Sequence, residues 1–454
     1  MEISIPSELK PLIGKFKDCS FQLFLVGGAV RDLILETVVK DYDFTTDAKP
    51  EEILKLFPDG FYNNTFGTVG VNTPLGVVEI TTMRKESGYG DSRHPQEVVW
   101  TNKIEEDLKR RDFTINAMAL SSESWVVSCG SKEKLQLVDP FGGQGDLKQK
   151  LIRAVGDPSI RFQEDALRLM RAVRFATQLG FAIEEQTAMA IQKHSQKLRN
   201  ISWERIRDEL LKILSNDNPY EGMVMLRSST LLQIILPEVE ACFGIIQEGP
   251  KHDRVYDIGE HSFLSLKFCS STDPFVRFAC LIHDTGKVPT HKIDAEGNVT
   301  FYGHDVVGGK VAEVICQRLK FSKKQTELVV RLVKYHLFTV DEHQTDSALR
   351  RFIRNVGEDN LENMFILREA DRLGGSSNPT SWRTESFKKR TKELLIKPFS
   401  ITDLKVTGKD VMEVLNIPPS RKVGEILDKL FAEVEEDKTK NDRDYLLDRI
   451  KQIA

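Results

Sequence analysis

A chain of 454 residues, 40% apolar and 29% charged, has ordinary globular composition and length for roughly two to four domains. Its formal net charge of -4 excludes a generally basic nucleic-acid binder, so any RNA contact has to come from local basic patches. No apolar run is long enough to span a membrane, MEISIPSELK lacks the apolar core of a signal peptide, and the six cysteines (19, 129, 242, 269, 280 and 316) form no Cys-x-x-Cys pair, which predicts a reduced, cytoplasmic protein without a zinc knuckle.

Residues 1 to 150 mix short strands with glycine turns, and beyond 150 helical periodicity takes over. Near the start, FQLFLVGGAVRDLILETVVKDYDFT reads as a strand (Leu23 to Val26), a Gly27-Gly28 turn, a short helix (Ala29 to Glu36) and a second strand carrying Asp41, Tyr42 and Asp43. A glycine turn opening a helix offers free N–H groups to an anion, Gly28 sits at that opening, and Arg31 adds a cation one turn in. Strand alternation puts Asp41 and Asp43 on one face, where paired carboxylates suit Mg2+. A phosphate cradle beside a divalent-cation seat is what phosphoryl or nucleotidyl transfer needs.

FGTVGVNT and VVEITTM read as the next strands, with Glu79 opposite in facing to Val78 and Ile80 and placed as a third carboxylate. RKESGYGDSRHPQEVVW (84–100) reads as a mobile loop carrying Arg84, Tyr89, Arg93 and His94. Arg111 in the following Arg-Arg-Asp has the forked geometry that matches triphosphate oxygens, and Asp112 can hold Arg111 or accept a sugar hydroxyl. The turn-rich segment 139–158 reads as a hinge, with Leu151 to Val155 as a last strand. Ser159 to Leu179 then reads as one long helix with an apolar stripe through Leu167, Met170 and Val173. On its other side Asp165, Arg168, Arg171 and Arg174 follow at steps of three, and Asp165 with Arg168 can pair or offer an acceptor and donors to a base edge. ISWERIRDELLKIL (201–214) shows an N-capping Ser202 and an amphipathic helix.

Seven of the nine histidines fall between 252 and 343, and His-Asp occurs three times, at 252, 283 and 304. His283-Asp284 ends an apolar helix, where burying both groups is expensive unless they are paired. His261, His304, His336 and Asp371 stand around it in the sequence, and Lys287 follows it. Imidazoles with carboxylates suit a transition metal such as Mn, Ni or Fe. The C-terminal stretch is helical, with Gly424 near a helix start and a local cluster of Lys405, Lys409, Arg421 and Lys422.

Two resemblances follow from these motifs. GGAVRD followed by DYDF resembles the head of the polymerase-β-like nucleotidyltransferases, in the branch of tRNA nucleotidyltransferases (CCA-adding enzymes) and bacterial poly(A) polymerases. The order His261, His283-Asp284, His304, His336, Asp371 resembles the HD-domain metal phosphohydrolases, a layout shared by HD-bearing bacterial tRNA nucleotidyltransferases. The first resemblance implies an α/β head over 1–150, a helical neck over 151–250, an HD domain over 251–375 and a helical tail over 376–454. It implies template-independent addition of CCA to the tRNA 3′ end from CTP and ATP, with Asp41, Asp43 and Glu79 as catalytic carboxylates, the aspartates holding Mg2+. Gly28, Arg31, Arg111 and Asp112 then cradle the triphosphate, Asp165 and Arg168 read the base, and Arg171 and Arg174 contact the nucleotide. A full-length segment at 84–100 resembles the flexible element of enzymes that install the terminal A. An A-adding enzyme with a separate CC-adding partner, a poly(A) polymerase and an HD phosphohydrolase are the alternatives.

Overall fold

The computed structural model describes residues 6–62, 67–89, 95–122, 136–247, 257–295, 297–338, 340–341, 343–396 and 401–453. Arg93, His94, Cys129, His252 and the side chain of Tyr89 lie outside the described residues. The chain divides into two compact units, Met1–Glu240 with Arg318–Lys320, and Ala241–Gln317 with Phe321–Ala454.

The first unit is built on a mixed seven-stranded sheet. Its strands are β1 (Leu23–Val26), β2 (Asp43–Thr46), β3 (Phe61–Tyr62), β4 (Thr68–Thr73) and β5 (Gly76–Thr82). A separate two-stranded hairpin, β6 (Arg84–Tyr89) and β7 (Pro95–Trp100), follows; β8 (Ala119–Ser121) and β9 (Leu137–Val138) return to the main sheet, whose order is β3-β4-β5-β2-β1-β8-β9. The hairpin corrects the loop expected at 84–100: five cross-strand partners from Arg84↔Trp100 to Tyr89↔Pro95 pair its two arms. Val26, Met83 and Ala119 pack with Ile104, Leu108 and Val155 in a buried core behind the sheet.

Helix α1 (Gly28–Ile34) follows β1 through Gly27, whose φ of 73° is open to glycine and strained for other residues. A Cβ at Gly27 would also lie 3.1 Å from Arg111 Nη1. Strand β2 begins at Asp43, so Asp41 and Tyr42 precede it, and strand alternation does not set the direction of Asp41 as the sequence reading assumed. Register places Asp43 opposite Val26 on one neighbour and Glu79 on the other.

Helix α2 (Ile104–Lys109) leads into the Arg-Arg-Asp motif. The expected hinge at 139–158 contains a helix, Gly143–Gln149, and Leu151–Ile152 pairs in parallel with Ala182–Ile183, apart from the main sheet. The long helix expected at 159–179 is two helices, α3 (Pro158–Glu164) and α4 (Arg168–Leu179). Asp157 caps α3 by accepting from Ser159 N at 2.8 Å, with Pro158 at its first position. Helix α5 (Trp203–Ser215) packs against α4; Ser202 takes its N-cap position without a side-chain capping bond.

The second unit is helical. Helices α6 (Ile258–Lys267), α7 (Pro274–Ile282), α8 (His304–Arg318), α9 (Lys323–Tyr335) and α10 (Leu361–Gly374) carry the histidine motif, with α6 against α10 and α7 against α9. Helix α7 is apolar and buried from Val276 to Ile282 because it runs through the centre of this packing. Three further helices, Gly408–Leu415, Arg421–Glu436 and Arg443–Ile453, close on a core of their own that includes Val411, Leu430, Leu446 and Ile450. Lys405, Lys409, Arg421 and Lys422 are exposed there, and a Cβ at Gly424 would meet nothing within 4 Å. No helix among the described residues is long and apolar enough to cross a membrane.

Candidate functional site

A cleft of about 760 Å³ opens in the first unit between the sheet's glycine turn and helices α4 and α5. Gly28, Arg31, Asp41, Asp43, Arg111, Asp112, Asp165, Arg168, Arg171 and Arg174 all line it. Residues spread over more than 130 positions of sequence thus meet at one surface, as the motif reading required. Glu79 is not among the lining residues; it stands behind Asp43 on the next strand.

The carboxylates make the floor strongly acidic. Withdrawal from water pushes the Asp43 carboxyl up, Glu79 and Asp41 push the same way, and Arg111 opposes them. A cation beside Asp43 would relieve that crowding. Asp41, Asp43 and Glu79 do not form a threesome with ligand atoms within 4.8 Å of one another; the groups at that spacing among the described residues are both in the histidine cluster. The head therefore offers two cleft-lining carboxylates with a third as electrostatic neighbour, the donor set of a hard cation that keeps water and substrate oxygens in its remaining positions.

The cations are held by an internal network. Asp107, fully buried, accepts from Arg110 Nη2 at 2.8 Å and lies 3.5 Å from Arg111 Nη2, so the partner of Arg111 comes from α2 rather than from Asp112. Arg111 is half-buried, with a buried Nε that finds no hydrogen-bond partner in the protein. Arg31, 5% exposed, donates from Nε to Asp32 at 2.8 Å and from Nη1 to Asn116 at 2.8 Å. Asn116 donates onward to Asp112 Oδ1 at 3.3 Å, and Asp112 Oδ2 accepts from Arg171 Nε at 2.8 Å. Burial pushes the Asp112 carboxyl up, but the Arg171 guanidinium and its hydrogen bond outweigh that and bring it to about 2. Arg174 pairs with Glu209 at 2.7 Å. The ring of Phe175 lies beneath three guanidiniums, with Arg174 at 4.1 Å, Arg171 at 5.3 Å and Arg31 at 5.4 Å from its centroid.

Asp165 and Arg168 do not pair. Asp165 accepts from Arg205 Nη2 at 2.7 Å, while Arg168 donates to Glu164 at 2.7 Å and to the Arg110 carbonyl at 2.8 Å. Sequence reasoning missed Asn116, Phe175, Arg205 and Asp107. Arg205 carried a signal: it is one turn into the amphipathic helix at 201–214, a charged residue on the flank of the apolar stripe, beside the buried Ile206 and Glu209.

The second unit gathers its own cluster. His261 Nε2 lies 3.2 Å from His283 Nε2 and 3.1 Å from Asp371 Oδ1; Asp284 carboxylate oxygens lie 3.3 Å from His283, 3.5 Å from His304 and 3.7 Å from His336. His283, Asp284 and His336 are at most 1% exposed. His283, His304 and His336 each donate from Nδ1 to the carbonyl three residues earlier, at 2.8 Å to Cys280, 2.9 Å to Phe301 and 2.6 Å to Val333. That turns their Nε2 atoms inward, and the buried His304 Nε2 has no hydrogen-bond partner in the protein. Burial lowers His283, but Asp284 and Asp371 outweigh it and raise it to about 10; burial and the charge of His283 bring His336 down to about 4. Lys287 Nζ donates to Asp284 at 2.7 Å and to Gln247 at 2.6 Å.

An arginine-walled cleft with paired carboxylates at the end of a polymerase-β-like strand–glycine–helix unit defines a nucleotidyltransferase. Family models match the chain in three places: "Poly A polymerase head domain" over 23–153, "Probable RNA and SrmB- binding site of polymerase A" over 180–243, and tRNA nucleotidyltransferase domain 2 over 305–450. The CCA-adding enzyme of Ligilactobacillus salivarius is 30% identical over 99% of this chain and 98% of its own length. That of Lactobacillus helveticus is 48% identical over a shorter stretch, 45% of this chain and 48% of its own. An A-adding tRNA nucleotidyltransferase of Deinococcus radiodurans is 33% identical over 89% of each chain. The crystal structure of the Bacillus stearothermophilus CCA-adding enzyme in complex with CTP superposes with a TM-score of 0.69 at 25% identity, covering 99% of this chain and 98% of that one. The chain belongs to the CCA-adding family of tRNA nucleotidyltransferases.

Proposed function

We propose that this protein adds C, C and A to the 3′ end of tRNA from CTP and ATP without a template, in the cytoplasm. The observation that carries the reading is the single cleft in which Asp41 and Asp43, the Arg111 fork and the Asp165–Arg168 region all present side chains. The primer 3′-oxygen attacks the α-phosphorus, a new phosphodiester forms, and pyrophosphate leaves. Asp41 and Asp43 would hold Mg2+, with Glu79 deepening the negative field; the oxygen donors and the crowded charge at Asp43 fit that ion. When bound, Mg2+ neutralises charge at the α-phosphate and acidifies the primer hydroxyl. Arg111, with its idle buried Nε, and Arg31 with Gly28 seat the triphosphate. Asp112 keeps Arg171 oriented, Arg171 and Arg174 contact the nucleotide, and the cleft supplies positioning and electrostatic stabilisation.

A second reading, A addition alone, is favoured by the likeness to the Deinococcus A-adding enzyme. Incubation with tRNA lacking CCA separates the two: CCA addition gives two C residues with CTP alone and three nucleotides with CTP and ATP. No C incorporation overturns the first reading, and a long ladder with ATP alone supports poly(A) polymerase.

The segments divide this work: head over 1–150, neck over 151–250, HD domain over 251–375 and tail over 376–454. The HD cluster of His261, His283, Asp284, His304, His336 and Asp371 holds a transition metal such as Mn, Ni or Fe; inward Nε2 atoms and the unpartnered His304 Nε2 fit it. When bound, that metal activates water against a phosphoester. Purified protein loaded with each metal and assayed on phosphoesters tests this, and absence of bound metal by elemental analysis after loading overturns it.

A further inference from the structure

Asp165 interrupts a run of helix formers. Its backbone is extended (φ -143°, ψ 106°) between α3 and α4. Its carboxylate is fixed at both oxygens: Oδ1 accepts from Leu167 N at 3.0 Å, and Oδ2 accepts from Arg205 Nη2 at 2.7 Å, with Arg205 Nη1 3.4 Å from Oδ1. Arg168 is tied separately, to Glu164 and to the carbonyls of Arg161 and Arg110. Each member of the expected base-reading pair therefore has its own keeper. Arg205 reaches Asp165 from α5, lines the cleft itself, and is only 24% exposed in its side chain.

We infer that Arg205 is a positioning and specificity-determining residue for base choice, acting through Asp165; this rests on the nucleotide-adding activity proposed above. A carboxylate is an acceptor only, and rotates about its last bond unless something holds it. Cytosine and adenine each present one exocyclic amine beside a ring-nitrogen acceptor on the Watson–Crick edge. Guanine presents two adjacent donors, which a loose carboxylate accepts equally well. Rejecting guanine therefore needs the acceptor at one fixed spacing from a donor. The fork of Arg205 sets that spacing by occupying one side of Asp165.

The test measures incorporation of all four nucleoside triphosphates on tRNA lacking CCA, for wild type, Arg205→Ala, Arg205→Lys, Arg205→Gln and Asp165→Asn. Arg205→Ala is expected to lower kcat/KM for CTP and ATP about tenfold, mainly through KM, and to raise GTP use relative to CTP about tenfold, the size of one charged hydrogen bond. Arg205→Lys restores part of the GTP rejection, since one point charge replaces the fork. In the Asp165→Asn background, Arg205→Ala adds little, because the two act as a unit. An unchanged GTP-to-CTP ratio in Arg205→Ala and Arg205→Gln, with only a lower Tm, overturns the inference and leaves Arg205 as support for α5. A wild type that adds no nucleotide overturns the activity and this inference together, so the two failures are told apart by that control.

Discussion

The cleft of the first unit and the histidine cluster of the second solve opposite electrostatic problems. In the cleft, cations outnumber acids along the walls, and nearly every guanidinium leans on a protein carboxylate or carbonyl while lining open space. In the cluster, four imidazoles and two carboxylates are packed almost out of contact with water, with their inward nitrogens crowded to between 3.1 and 3.7 Å of one another or of an acid. The first arrangement suits a large, highly charged ligand that comes and goes. The second suits a small cation that stays. The comparison teaches that a buried polar cluster declares its ligand through its unmet bonds, whereas an open cleft declares it through the direction of its held charges.

The sharpest way to separate the two sites is to remove one at a time. Asp43→Ala should lower nucleotide addition by about 10³-fold while leaving metal content at the histidine cluster unchanged. Asp43→Asn should share the loss of activity yet raise Tm slightly, because a carboxyl crowded by partial desolvation in the cleft and by Glu79 and Asp41 loses its charge; a melting curve checks the sign. His283→Ala should abolish metal loading of the second unit, read by elemental analysis, with addition of CTP and ATP retained within about threefold.

Smaller in effect is the Asp112–Arg171 pair. The Asp112 carboxyl, brought down to about 2, stabilises the fold above its unfolded value of about 3.9. That contribution, roughly 2 kcal/mol, is lost as pH falls from about 4 towards about 2. Asp112→Asn should flatten the acid limb of a stability-versus-pH curve in that window; an unchanged acid limb would show that the pair contributes nothing.

These outcomes bear on what the amino-acid order reveals. The glycine turn after the apolar run at 23–26 was legible because Gly27 takes a φ of 73°, which other residues resist. The gathering of the head motifs into one cleft was legible from function, since separate phosphate and metal motifs must meet. The break between α3 and α4 was not legible. No glycine or proline interrupts 159–179, and the helix is ended by the Asp165 carboxylate accepting from Leu167 N, a local bond that competes with the helix from within a run of good helix formers. The position of Asp41 before β2 was hidden for a related reason, because alternation predicts facing only once the strand's first residue is known. The partners of Asp165 and Arg111 come from α5 and α2, and which element packs where is a tertiary fact.

Three histidines of the second unit rest their outer nitrogens on carbonyls of their own chain three residues upstream. Ring orientation is therefore tied to local backbone, and an imidazole swings away only by giving up that bond. The cage is assembled before any guest arrives, so most of its ordering entropy is already spent when the chain folds. Binding of the metal proposed there would then be a matter of entry rather than rearrangement.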